Sequence, residues 1–361
     1  MMKRLLSLLL AAALLCSVLA GCASSEAPTA DAVQSAEFTD DLGRTVTLPQ
    51  KFTRIAPSGA VAAMILATVA PEYMVCINRT PSEAQRDFLS EELFALPETG
   101  QMYGAKSTLN LEALLACDAE AVIDLGEKKN GMAEELDALQ EQIGIPVIFL
   151  EADLPHMAQM YRTLGTLLAD KAERSEELAA LAEQTVALAA ENSAKIAEDE
   201  RVRVLYTSGL TGLDANARGS VQAQVIELVG AENALVTEAA SSKNGGSTIS
   251  AEELYQLDPD VILFAPDSIC DTAAQDDVWS GVAAIAEGRY CEVPSQPYNW
   301  MSNPPSLNML LGVWWLGNLL YPQYYNYNME EKAQELLAVL WQCDVTREQA
   351  AELLQNAALR D

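Results

Sequence analysis

LNLEALLACDAEAVIDLG at residues 109–126 and ISAEELYQLDPDVILF at residues 249–264 decide the fold. At a constant offset of 140, Glu112, Leu114, Asp118, Glu120 and Ile123 align with Glu252, Leu254, Asp258, Asp260 and Leu263. Each copy reads as a short helix, an acidic turn and a buried strand, the mark of an internal repeat. Around the first copy, short β-like runs alternate with helical patterns. A hairpin is expected over Glu37–Leu48, with Asp-Asp-Leu-Gly at its turn. Strands are expected at Arg54–Ala56, Met74–Ile77, Ala121–Asp124 and Pro146–Leu150, and helices at 60–70, 84–95, 110–117 and 131–143. Around the second copy the strands are Val202–Tyr206, Val261–Phe264 and Tyr290–Val293, and the helices 220–230, 250–257, 278–287 and 306–320. This order implies α/β architecture with largely parallel sheets.

Between the halves, Lys171 to Glu200 lacks Gly and Pro and sets Leu178, Leu181 and Leu188 near one helical face. Such a segment spans ~43 Å as a helix, the length of a strut between two lobes. The N-terminus reads differently. Lys3 and Arg4 precede an apolar run from Leu5 to Leu15, and Leu19-Ala20-Gly21-Cys22 has the small residues of a bacterial lipoprotein cleavage site. The expected organisation is a signal peptide at 1–21, a lipid-anchored flexible linker at 22–36, an N-terminal lobe at 37–170, the interlobe helix at 171–200 and a C-terminal lobe at 201–361. Lipid on Cys22 would hold the chain at the outer surface of the cell membrane.

The 361 residues carry a formal charge of −30, and half are apolar. Residues 1–21 hold Lys3 and Arg4 and no acid, so the processed chain has −32 over 340 residues. That charge disfavours nucleic acid as a partner. Past Cys22, the cysteines Cys76, Cys117, Cys270, Cys291 and Cys343 are odd in number and lack CxxC spacing, so neither a disulfide framework nor a zinc site is indicated. Buried thiols are expected, with a Cys270–Cys291 bridge as the rival. The single histidine, His156, falls at a helix start, where a solvated residue is expected rather than a ligand.

FTDDLGRTVTLPQKFTRIAP at 38–57, WSGVAAIAEGRYCEVP at 279–294 and PPSLNMLLGVWWLGNLLYP at 304–322 join the two repeat copies as distinctive stretches. In these the chain resembles the class III substrate-binding lipoproteins of ABC importers, the group that takes iron-siderophores, haem, cobalamin and oxyanions. The resemblance implies two Rossmann-like α/β lobes joined by a single long helix, a ligand cleft between them and little hinge motion. It also implies docking on an importer permease and its ATPase through one acid on each lobe, and Glu112 and Glu252 match that motif position.

Ligands of open parallel sheets sit beyond the carboxyl ends of the strands. That rule selects Ser58, Asn78, Arg79, Tyr103, Lys106 and Glu127 to Lys129 from the first lobe. From the second it selects Thr207, Ser208, Asn216, Arg218, Ser242, Lys243, Asp267 and the run Tyr298, Asn299, Trp300, Met301. Arginine's planar fork grips carboxylates, catecholates and oxyanions, and the aromatic residues suit apolar faces of a bulky complex. A ferric siderophore-type chelate is therefore the expected ligand, with a corrinoid, haem, molybdate or tungstate as alternatives. Trp314 and Trp315 read as core. A monomeric binding protein without catalytic residues, resident metal or cofactor is expected. Its rivals are an extracytoplasmic sensor and a tetrapyrrole chelatase-like enzyme, the latter disfavoured by the lack of histidine and clustered metal ligands.

Overall fold

Successive side chains of a strand point to opposite faces, and here both faces are greasy. In β4 (Ala121–Gly126), Ala121, Ile123 and Leu125 enter one core cluster while Val122 enters another. In β10 (Val261–Phe264), Val261 and Leu263 join the first of these clusters and Ile262 and Phe264 a third. Strands buried on both faces belong in parallel sheets, and both lobes have one. In the computed structural model, which describes residues 35–104, 107–237, 246–266 and 268–360, β3 (Ile55–Pro57), β4 and β5 (Val147–Glu151) form a three-stranded parallel sheet. In the second lobe β6 (Arg203–Ser208), β10 and β11 (Tyr290–Glu292) repeat that order, with Val261 opposite Val204 as Ala121 is opposite Ile55. Three two-residue strands extend it: β7 (Asp214–Ala215), β8 (Glu232–Asn233) and β9 (Ser247–Thr248).

The cluster common to both sheets runs without a break from Ile55 and Ile123 through Leu178 to Leu263, Trp300 and Trp314. Residues 36–361 accordingly form one compact unit. The helix Ala172–Ser193 lies along this interior, against Met157–Leu167, Asn308–Leu320 and Met329–Trp341. Its 22 residues give ~33 Å rather than the ~43 Å expected, because the chain turns after Ser193 to bury Ile196. Thr185 accepts the indole N–H of Trp314 at 2.9 Å. Arg174 donates to the carbonyls of Thr68 (2.9 Å) and Leu340 (3.0 Å), tying a first-lobe helix to a C-terminal one.

The hairpin of β1 (Ser35–Thr39) and β2 (Thr45–Pro49) docks by its turn. Buried Asp40 accepts from the backbone of Leu42 and Arg44, and Arg44 pairs with it at 3.2 Å while donating to Val147 O at 3.0 Å.

Several expected elements differ. Met74–Ile77 makes isolated bridges to Ile55 and Glu98 instead of a strand, since a 3-10 turn at Pro71–Tyr73 delivers it askew. The 84–95 segment becomes two 3-10 turns, Glu83–Gln85 and Glu91–Ala95, stapled by Arg86, which reaches both Glu83 and Glu91. Residues 220–230 and 278–287 each split into a 3-10 turn and a short helix. Among the described residues no helix is long and apolar enough to cross a membrane. Cys76, Cys117, Cys270 and Cys291 are buried thiols and Cys343 is half-buried.

Candidate binding cleft and the repeated acidic helices

The carboxyl ends of β4 and β6 open on two adjoining hollows that share Ala60, Gln101 and Pro304, of about 540 Å³ and about 840 Å³. The smaller is built on the first sheet. Asp124, the one acid in an otherwise apolar strand, is 4% exposed at its floor. The Ser58 hydroxyl donates to one carboxylate oxygen and the Tyr103 hydroxyl to the other, at 2.6 Å for Tyr103. Burial pushes the Asp124 carboxyl above its ordinary range, and the two hydroxyl donors oppose that shift. Burial and the facing carboxylate drive the Tyr103 phenol well above its usual value. Glu127, Glu135, Asp153 and Lys129 line the walls, with Lys129 3.4 Å from Glu127.

The larger hollow takes Asn78, Arg79 and Gln85 from the first lobe and Tyr206, Ser208, Asp214, Asn216, Tyr298, Asn299 and Ser302 from the second. Arg79 is exposed and makes no ion pair among the described residues. Tyr298 stacks obliquely on Trp341 with ring centroids 5.5 Å apart, and desolvation pushes its phenol up to about 12. Asn299 folds into an Asx turn, its Oδ1 accepting from Met301 N (2.9 Å) and Ser302 N (3.0 Å), and its amide donates to Tyr206 OH at 3.3 Å. Asn216 is buried, and its Oδ1 has no partner among the described residues.

Three of the nine expected ligand residues, Trp300, Met301 and Arg218, stand elsewhere, and two more lie outside the described residues. Trp300 and Met301 are fully buried and line neither hollow. The Trp300 indole donates to Gln296 O at 3.0 Å, and the Trp300 carbonyl lies so close to Gly312 that a Cβ there would sit 2.1 Å from it. The Asx turn at Asn299 thus points Tyr298 and Asn299 at the cleft and sends the next two side chains into the core. Arg218 is exposed and lines neither hollow. Lys106 and Lys243, like Ser242, Asp267 and Cys22, lie outside the described residues. Arg79, Tyr103, Tyr298 and Asn299 do line the cleft. Asp124, Gln101, Tyr206 and Asp214 were missed. Asp124 alone had a signal, an acid inside the apolar run AVIDLG.

Among the described residues one group, Glu151, Asp153 and His156, brings three potential metal-ligand atoms within 4.8 Å of one another. Its contacts are those of a helix start: Asp153 accepts from His156 N (3.1 Å) and pairs with the His156 ring at 2.5 Å. That carboxylate raises the imidazole's pKa.

The repeat is as literal in space as in sequence. The Asn110 side chain accepts from Ala113 N (3.1 Å) to start the helix Leu111–Ala116, and the Ser250 side chain from Glu253 N (3.2 Å) to start Ala251–Leu257. Each helix is followed by an aspartate at positive φ, Asp118 at 49° and Asp258 at 40°. Arg54 donates to the carbonyls of Cys117 and Asp118 (2.8 Å for Asp118), and Arg203 to those of Leu257 (2.7 Å) and Asp258 (3.0 Å). Glu120 then accepts from Arg54 N at 3.1 Å, and Asp260 from Arg203 N at 2.8 Å. Glu112 and Glu252 stand exposed at matching positions and make no ion pair among the described residues.

A family model described as periplasmic binding protein matches residues 77–297, more than half of the chain. The chain belongs to the periplasmic binding protein family. An ABC transporter solute binding protein from Sulfurospirillum deleyianum is similar in structure, with TM-score 0.80, 25% identity and coverage of 88% of this chain and 99% of that one. A periplasmic solute binding protein from Veillonella parvula follows at 0.71 and 21% identity, covering 90% and 98%. The molybdate periplasmic binding protein MolA of Haemophilus influenzae, bound to molybdate, gives 0.69 and 19% identity, covering 86% and 99%. No curated protein matches. The family's two-lobed architecture is the one found here, and its members are transport proteins that work with ABC permeases and ATPases.

Proposed function

We propose that this periplasmic binding protein captures a ferric siderophore-type chelate and hands it to an ABC importer, tethered to the membrane by lipid on Cys22. The observation that carries the ligand reading is Arg79, an exposed guanidinium that makes no ion pair among the described residues and lines a cleft of about 840 Å³. A planar fork in the same hollow as Tyr298 suits a bulky complex with anionic oxygen donors on its rim. A tetrahedral oxyanion needs a small ring of donors, and a hollow of this volume does not close on one. A haem or corrinoid would want more aromatic wall, and with Trp300 in the core the aromatic lining of the larger hollow is Tyr206 and Tyr298. Glu112 and Glu252 are the docking acids of this reading. The sequence before Cys22 supports the anchor.

The deciding experiment is native mass spectrometry of the soluble domain from residue 23, with a panel of ferric siderophores, haem, cobalamin and molybdate. One-to-one binding of a ferric chelate is expected, weakened at least tenfold in Arg79→Ala, about 1.4 kcal/mol or more. Binding of molybdate alone, or of a chelate with Arg79→Ala unaffected, sinks this reading of the ligand.

A further inference from the structure

Four large hydrophobic side chains stand exposed among the described residues: Leu115 (50%), Leu210 (86%), Val236 (60%) and Tyr255 (47%). Two of them are the same position of the repeat, since Leu115 plus the offset of 140 is Tyr255. Each follows by three residues, on a short helix, an exposed glutamate that makes no ion pair among the described residues, Glu112 before Leu115 and Glu252 before Tyr255. Residues three apart share a helix face, so each lobe presents a carboxylate and an apolar knob side by side. The second knob is held in place: Tyr255 OH donates to Val278 O at 2.8 Å, and its ring lies against Gly281. Repetition of an exposed apolar side chain beside an acid, a pattern that costs solubility at both places, is what an interaction surface needs.

We propose that Leu115 and Tyr255 are the apolar halves of a two-part docking surface whose partner is a pair of like membrane subunits, each offering a basic side chain beside an apolar recess. The proposal rests on the reading of Glu112 and Glu252 as docking acids and adds to it where the bound complex gains its persistence. The acids supply charge complementarity and speed of encounter, which salt screens. The knobs supply burial, which salt leaves in place.

The test uses the full-length chain in its native membrane, with a photo-reactive phenylalanine analogue replacing Leu115, Tyr255 or, as a control, Leu210. Crosslinks from the first two positions to an ABC permease subunit, and none from the third, are expected. No crosslink to a permease from the first two, or equal crosslinking from all three, overturns the proposal. The crosslinked permease is then purified with its ATPase in nanodiscs, and affinity is measured across salt concentrations. Leu115→Ser and Tyr255→Ser are expected to weaken binding about five- to tenfold at every salt concentration with the salt slope unchanged. Tyr255→Phe should stay within about twofold, while Glu112→Gln and Glu252→Gln should flatten the slope. Melting curves check that each variant is folded. Wild-type affinity in both serine variants, with the glutamine variants weakened, removes the knobs and leaves the acids as docking residues. Wild-type affinity in all four removes both.

Discussion

Positions 124 and 264 are the same place in the two copies of the repeat, and the lobes fill it in opposite ways. In the first, Asp124 is buried under the hydroxyls of Ser58 and Tyr103. In the second, Phe264 packs edge-on against Trp279 (4.9 Å) and Tyr290 (6.1 Å). The neighbouring strand follows suit. Ser58 donates to Asp124, whereas its counterpart Thr207 is fully buried beside Phe264 and its hydroxyl has no partner among the described residues. The backbone frame around these positions is shared, down to Arg54 and Arg203 clasping the ends of equivalent helices. The two copies thus share a main-chain geometry and differ in the chemistry it carries, hydroxyl–carboxylate in one lobe and aromatic in the other.

That contrast can be tested at four positions, in falling order of effect. Phe264→Ala removes a fully buried ring and should cost about 3–5 kcal/mol in urea denaturation; a loss under about 1 kcal/mol would mean that the aromatic layer does not hold the second lobe. Tyr103→Phe deletes one donor to a buried carboxylate and should cost about 2 kcal/mol at neutral pH. Its pH dependence has a definite sign. Asp124 has a raised folded pKa, so its contribution favours the folded state in acid and is lost as pH rises through that folded value. The Tyr103 bond lowers that pKa and so limits the loss. The penalty of Tyr103→Phe should then grow from acid to neutral pH, and melting temperatures that differ by a constant amount across the range would show Asp124 to be uncharged throughout. Smallest are Arg54→Ala and Arg203→Ala, each expected to cost about 1 kcal/mol, equal to one another and additive when combined. Unequal losses in denaturation curves would show that the frame is less alike than its hydrogen bonds.

Much of this was legible in the sequence, and for a common reason. The echo at 140, the paired acids and strands β4, β5, β6 and β10 all show as periodic burial or fixed spacing, which survive as local patterns. The hairpin turn showed in the same way through Asp40 to Gly43. What failed to show depends on distant contacts. The direction of Trp300 follows from an Asx turn and from Gly312 across the loop, not from any periodicity in Pro-Tyr-Asn-Trp-Met. The helices Met329–Trp341 and Arg347–Leu353 were not assigned, although Asn328 and Thr346 cap them in the expected manner. Asp124 shows as an acid inside an apolar strand, but its role needs its donors, Ser58 and Tyr103, which come from 66 and 21 residues away.

The interior that runs from Ile55 past Leu178 to Trp314 has a mechanical consequence. Jaws that swing need two separate oily cores with a wettable joint between them. Here a swing would prise apart one continuous core, at about 2.5 kcal/mol for each 100 Å² of apolar surface bared. A ligand seated between these lobes would therefore be gauged by fit to a gap whose width the shared core resists changing.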